Sequence, residues 1–188
     1  MYIIPHTQEM IDTAFRKAAK LGALNNSITQ GQGNAAGYLG EEAVASYLKA
    51  KIVSSEEGIQ KYNHDLLLYD MQCPEGIRAE VKTKRRTVEP QEHYEVSVAQ
   101  TSLHQKPDIY IFVSLQFKTK LNLKSGVKYK DLQNIWLVGQ KAPKEFLNHA
   151  HSRKWNKGEV DQSNNFVTKT PMHNLAIKYL DEITREGG

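Results

Sequence analysis

With a single cysteine, Cys73, in 188 residues, the chain can form neither an intrachain disulfide nor a cysteine-cluster zinc site, and this suits a reducing compartment. No apolar run nears the roughly 18 residues that a membrane span requires. The N-terminal MYIIPHTQEM has neither the basic nor the long apolar region of a secretory leader. The expectation is a soluble cytoplasmic protein that makes no use of a membrane. Gly31 and Gly33 lack both a preceding strand and a following GK[ST], so they make no phosphate-binding fingerprint. His149, His151 and His173 belong to no HExxH or other compact ligand set. There is no internal repeat and no break in composition. The length suits one domain over 1–188, with a sizeable core.

What is present is ordinary globular composition with a mild basic excess. The 25 Lys and Arg outnumber the 21 Asp and Glu, giving a formal charge of +4, which admits nucleic acid as a partner without demanding it. Thr7 can cap a helix over 8–21, with Ile11, Ala14, Phe15, Ala18 and Leu21 at helical spacing and Gly22 as the stop. Residues 25–37 read as a polar, glycine-rich loop. A second helix is expected over 36–50, with Leu39, Ala43, Val44, Tyr47 and Leu48 on its buried face. On that wheel Glu41 lies on the shoulder of the apolar face and Glu42 lies nearly opposite, in solvent.

Short strands are expected at Ile52–Ser54 and Leu66–Tyr69, the second opened by Asp65. Pro74 and Gly76 in MQCPEG suit a hairpin into RAEVKTKRR, Arg78–Arg86. In a strand successive side chains alternate in direction, so Glu80 and Lys82 share one face and Val81 takes the other. A hairpin would bring Asp65 and Glu80 towards one end of the sheet. HYEVSVAQ is expected as a third sheet strand ending at Gln100, and DIYIFVSLQF (108–117) as the central one, covered on both faces. The lysine-rich 118–131 reads as a solvated loop and NIWLVGQ as a further strand. Pro143 is expected to open a helix over PKEFLNHAHSRK, residues 152–170 to be largely irregular, and 171–187 to form a last amphipathic helix. Its inward residues would be Met172, Leu175, Ala176, Tyr179, Leu180 and Ile183.

The ordered set is GEE at 40–42 on a helix, HDLLLYD at 64–70 and AEVKTK at 79–84 on a hairpin. It resembles the PD-(D/E)XK nuclease superfamily, to which type II restriction enzymes and archaeal-type Holliday junction resolvases belong. The resemblance covers residues 36–117, and His64 stands where the family pattern has proline. It implies an α/β fold with a restriction endonuclease-like core, a central mixed sheet flanked by helices, with 132–188 packed on it. It also implies a Mg²⁺- or Mn²⁺-dependent DNA endonuclease of restriction or phage type. A junction resolvase is the alternative within the class and would act as a homodimer; a non-catalytic DNA-binding module is the alternative outside it.

The chemistry suits these residue types. Phosphodiester hydrolysis needs charge neutralised on an anionic group and hydroxide generated near neutral pH, and a divalent cation held by a few carboxylates serves both. Asp65 and Glu80, with the Val81 carbonyl, would be the main ligands, and Glu41 would act directly or through water. Lys82 would lower the pKa of the attacking water and stabilise the phosphate. Gln100 is a candidate contact to water or phosphate. Lys84, Arg85 and Arg86 form a basic exit suited to a DNA backbone, with Lys106 and the 118–130 lysines outside it. Trp136 and Trp155 could stack on bases, although Trp136 lies in an apolar strand and is expected in the core.

Overall fold

The computed structural model describes residues 1–21, 34–53, 68–118, 129–161 and 166–183. In chain order its elements are β1 (Tyr2–Ile4), α1 (Gln8–Leu21), α2 (Asn34–Leu48), β2 (Lys51–Ile52), β3 (Met71–Gln72), β4 (Arg78–Arg86) and β5 (Glu95–Ala99). They continue with β6 (Ile109–Phe117), β7 (Leu132–Lys141), α3 (Pro143–Asn148), β8 (Arg153–Trp155), β9 (Val160–Asp161), β10 (Phe166–Val167) and β11 (Met172–Ala176). The fold is mixed α/β.

Helix α1 begins where the sequence places it: the Met10 N–H donates to Thr7 Oγ1 at 3.2 Å, satisfying one of the first-turn donors. Helix α2 ends at Lys49, whose φ of 55° is a left-handed closing residue, and the Ala50 N–H returns to the Ala45 carbonyl at 2.9 Å.

The main sheet has the order β1-β7-β6-β4-β3-β2. Only β4 and β6 run parallel, with Glu80 beside Tyr110 and Lys82 beside Phe112; the other pairs are antiparallel. As its apolar run requires, β6 is central, and it is covered on both faces. Ile111, Val113, Leu115 and Phe117 join Ala79 and Val81 against Ile11 and Ala14 of α1 and Leu39, Ala43 and Val44 of α2. Tyr110 and Phe112 point the other way, to Val96, Val98, Val138, Phe146 and Leu175. Period-two alternation on one strand thus feeds two cores.

That second core is roofed by a smaller antiparallel sheet of order β5-β11-β8, and here the sequence expectations change. HYEVSVAQ does not extend the main sheet: Val96 and Val98 pair with Leu175 and His173 of β11. The expected C-terminal helix is absent over 172–176, which is a strand held on both sides by β5 and β8. Non-local pairing overrides a helical spacing of apolar residues. Leu175 and Ile183 are buried as expected, with Ile177 beside them. The helix at Pro143 stops at Asn148, and 153–155 becomes β8; β9 and β10 form a hairpin where irregular chain was expected. The edge strand β1, not foreseen, pairs with β7. No helix among the described residues is long and apolar enough to cross a membrane.

Candidate functional site

The hairpin β3–β4 sets the geometry. Met71 pairs with Ala79 and Gln72 with Arg78, through a turn in which the Gly76 N–H donates to the Cys73 carbonyl and the Cys73 N–H to the Ile77 carbonyl, at 2.9 and 2.8 Å. Gly76 adopts φ 81°, a conformation open to glycine at little cost. Asp70, the residue before β3, lies against β4 beside Glu80 and Val81. Asp70 is fixed at both backbone groups: its N–H donates to the Ala79 carbonyl and its carbonyl accepts from the Val53 N–H, at 3.0 and 2.9 Å. Its Oδ2 accepts from the Val81 N–H at 2.7 Å. Of the expected strand Leu66–Tyr69, Leu68 and Tyr69 are outside any strand, Leu66 and Leu67 lie outside the described residues, and β3 is at Met71–Gln72. Asp65, and Ser54 at the end of the expected strand Ile52–Ser54, lie outside the described residues.

Glu41 arrives from α2. The helix approaches β4 closely at Gly40, where any Cβ would collide with the Thr83 side chain; glycine is required there by space. Glu42 is not simply solvated: its Oε1 pairs with Lys17 Nζ of α1 at 2.7 Å. Lys82 Nζ lies 2.7 Å from Glu80 Oε1 and donates to Gln105 Oε1 at 3.1 Å. Gln105 therefore stands beside Lys82. Gln100, the residue proposed from sequence, is exposed in a short 3₁₀ turn, its N–H bonded to the Pro171 carbonyl.

The electrostatics show what this packing costs. Burial pushes the Glu41 carboxyl up to about 7; nearby Glu80 and Glu42 push the same way, against the opposing pull of Lys17 and Lys82. Asp70 is raised well above the ordinary aspartate range, first by burial, then by Glu41 and Glu80, against Lys82 and its bond from Val81. The Tyr38 hydroxyl is raised by burial and by Glu41 and Asp70, which places it beside the same cluster. Glu80 is only 3% exposed, and its Oε2 is buried with no hydrogen-bond partner.

The structure thus brings Glu41, Asp70, Glu80 and Lys82 into one electrostatic cluster. Asp70 could have been read from the hairpin: counted outward from the Cys73–Gly76 turn, it is the acid that faces Glu80. The leucines of 66–68 drew the strand upstream instead. Among the described residues no three His, Cys, Asp or Glu side chains stand ready to hold a metal ion. Glu80 Oε1 faces the Lys82 ammonium and Asp70 Oδ2 faces an amide. The donor set is nonetheless the kind a hard divalent cation takes, and the orphaned Glu80 oxygen is an acceptor with nothing to accept from.

The basic exit divides. Arg86 is a brace: Nε donates to Ser114 Oγ at 3.1 Å, Nη2 to the Glu95 carbonyl at 2.9 Å, and its guanidinium lies 5.0 Å from the Tyr94 ring centroid. Burial lowers its pKa. Lys84 Nζ reaches the Glu95 carbonyl and Ser97 Oγ at 3.1 and 3.2 Å. Arg85 takes the opposite face, near Tyr129, whose hydroxyl pKa it lowers against the larger effect of burial. The three side chains therefore do not form one track. His149 and His151 pack around Tyr179, while His173 lies on β11, its pKa lowered by burial and by Lys154. Trp136 packs partly buried on the second core and donates from Nε1 to Gln116 Oε1 at 2.8 Å. No protein-family model matches the chain, and no curated protein matches it either.

Proposed function

We propose that the protein is a Mg²⁺- or Mn²⁺-dependent deoxyribonuclease with a restriction endonuclease-like core. The observation that carries this reading is the convergence of three carboxylates, two with raised pKa and the third with an orphaned oxygen, on one lysine. Charges packed this way repel one another, and the Lys82 ammonium and the Val81 amide offset only part of that. A divalent cation bound among them would offset that repulsion.

Asp70, Glu80 and the Val81 carbonyl are the residues that would hold the cation, with Glu41 behind them. When bound, it supplies a Lewis acid for the phosphoryl oxygens and lowers the pKa of a water. The chain's own residues do the rest. The bond from the Val81 N–H orients Asp70, and the close approach at Gly40 holds Glu41 at the site. Lys82, between Glu80 and Gln105, keeps a positive charge where negative charge grows on the phosphate. Gln105 fixes that ammonium and offers its own amide to water or phosphate.

The test is a panel of linear, supercoiled, single-stranded, flapped and four-way-junction DNA with Mg²⁺, Mn²⁺ and Ca²⁺. Cleavage is expected with the first two, and binding without turnover with Ca²⁺. Asp70→Asn and Lys82→Ala are each expected to lower the cleavage rate at least ~100-fold while leaving the far-UV circular dichroism unchanged, in line with the loss of a key electrostatic contact. Asp65→Asn, measured beside them, decides which aspartate serves. No cleavage of any substrate would refute the proposal, and binding alone would leave the non-catalytic DNA module.

A further inference from the structure

The outer face of the small sheet continues from the candidate site. In antiparallel pairs opposed side chains share a face, and the register aligns Ser97, Asn174 and Arg153 in one row and Ala99, Met172 and Trp155 in the next. Val96, Val98 and Leu175 take the core face. Lys84 Nζ touches Ser97 Oγ at 3.2 Å, and Lys82 precedes Lys84 on the same face of β4. With strands about 4.8 Å apart and a same-face repeat of about 7 Å, this row, whose middle residue Asn174 is buried, spans about 20 Å from Lys82 to Arg153. That corresponds to roughly six nucleotide steps of stacked DNA.

At its end lies an open groove of about 290 Å³ lined by Arg153, Lys154, Trp155, Glu159 and Val160. The Arg153 guanidinium is 5.2 Å from the Trp155 ring centroid and 2.7 Å from Glu95 Oε1, yet its side chain is 60% exposed. Asn174 Nδ2 holds the other Glu95 oxygen at 3.0 Å, so arginine and indole form a pre-set shelf. The acids are engaged: Asn156 donates to both oxygens of Glu159, each at 2.9 Å. Val160, 41% exposed, adds an apolar wall, and Lys154 and Lys157 are exposed nearby. At this size the groove falls short of the usual range for a drug-sized ligand, and indole, guanidinium and aliphatic wall together match the flat π-face of one base.

We propose that this groove binds an unpaired base of a DNA substrate by stacking on Trp155, with Arg153, on the same face of β8, at the adjoining phosphate. The favoured substrates are then DNAs with unpaired nucleotides near the cut. The inference rests on the nuclease reading for its substrate, but its measurement does not depend on cleavage. Because the chain has two tryptophans, Trp136→Phe isolates the Trp155 fluorescence. With Ca²⁺ present, a thymidine 12-mer is expected to quench it. Trp155→Ala is expected to weaken binding of the 12-mer about tenfold, and binding of a blunt duplex less than twofold. Trp155→Phe keeps a stacking face and should retain most of the affinity. Hydrolysis of a small chromogenic phosphodiester by the unmodified protein tests the carboxylate cluster separately. Unchanged 12-mer affinity in Trp155→Ala, or an equal loss for duplex and single strand, overturns the inference. Failure of the unmodified protein to hydrolyse even the small diester would sink the nuclease reading alone, and the fluorescence titration would still decide the groove.

Discussion

Replacing Glu41 by Gln should stabilise the metal-free protein at neutral pH. The Glu41 carboxyl moves from an ordinary value of 4.5 up to about 7 in the folded chain. The folded state therefore holds a proton that the unfolded chain has released, and stability falls as pH rises through that window. Below the unfolded pKa both states are protonated and nothing is lost. Above the folded value the full cost is present, at most about 3 kcal/mol if Glu41 titrated alone. Because it shares its field with Asp70 and Glu80, about 1–3 kcal/mol is the working range for this one substitution. For a chain of this size that is a rise in Tm on the order of 3–10 °C. Thermal unfolding of both proteins from pH 4 to 8, in chelator, measures it: the curves should meet near pH 4 and separate by pH 8. Millimolar Mg²⁺ should then raise the Tm of the unmodified protein more at pH 8 than at pH 5, and raise that of Glu41→Gln less, since a ligand stabilises the state that binds it. Parallel Tm curves across the range, or a variant less stable at pH 8, would refute the argument.

Gly40→Ala should push α2 off β4, lowering stability by about 1–3 kcal/mol through overpacking and cleavage more than tenfold; Thr83→Ala in the same chain should recover much of both, as read by urea melts and rate. Arg86→Ala strands a buried Ser114 hydroxyl and leaves the Glu95 carbonyl to Lys84 alone, and should cost about 2 kcal/mol in chemical denaturation, whereas Lys106→Ala should leave stability unchanged within about 0.5 kcal/mol.

Much of the first half of the chain was legible because its signals are local. Thr7 and the spacing from Ile11 to Leu21 define α1, the turn at Pro74 and Gly76 announces the hairpin, and the apolar run 109–117 marks the central strand. The alternation of Glu80, Val81 and Lys82 separates a site face from a core face. What escaped was decided at a distance. A two-residue strand such as β3 leaves no periodicity to find, so Asp70 was not read as a site residue. Residues 172–180 fit a helical wheel, yet β5 and β8 claim 172–176 as a strand. Arg86 looks like a phosphate contact until Ser114 and Tyr94, both remote in sequence or on another strand, enclose it. Gln105 differs from Gln100 only in where the chain after β5 turns back.

The hairpin turn at Cys73–Ile77 also acts as a gauge for evolution. Asp70 faces Glu80 because one fixed count of residues separates them, and each strand changes face at every step. Loss or gain of a single turn residue would carry Asp70 to the wrong side of the sheet or force the two-residue β3 to slip, while leaving the long β4 and its pairing with β6 intact. A shortened chain could then still fold around β6 and display Glu80 and Lys82, but without the acid opposite them. A change of two residues, which restores parity, is the smallest step by which the turn can vary without dismantling the cluster.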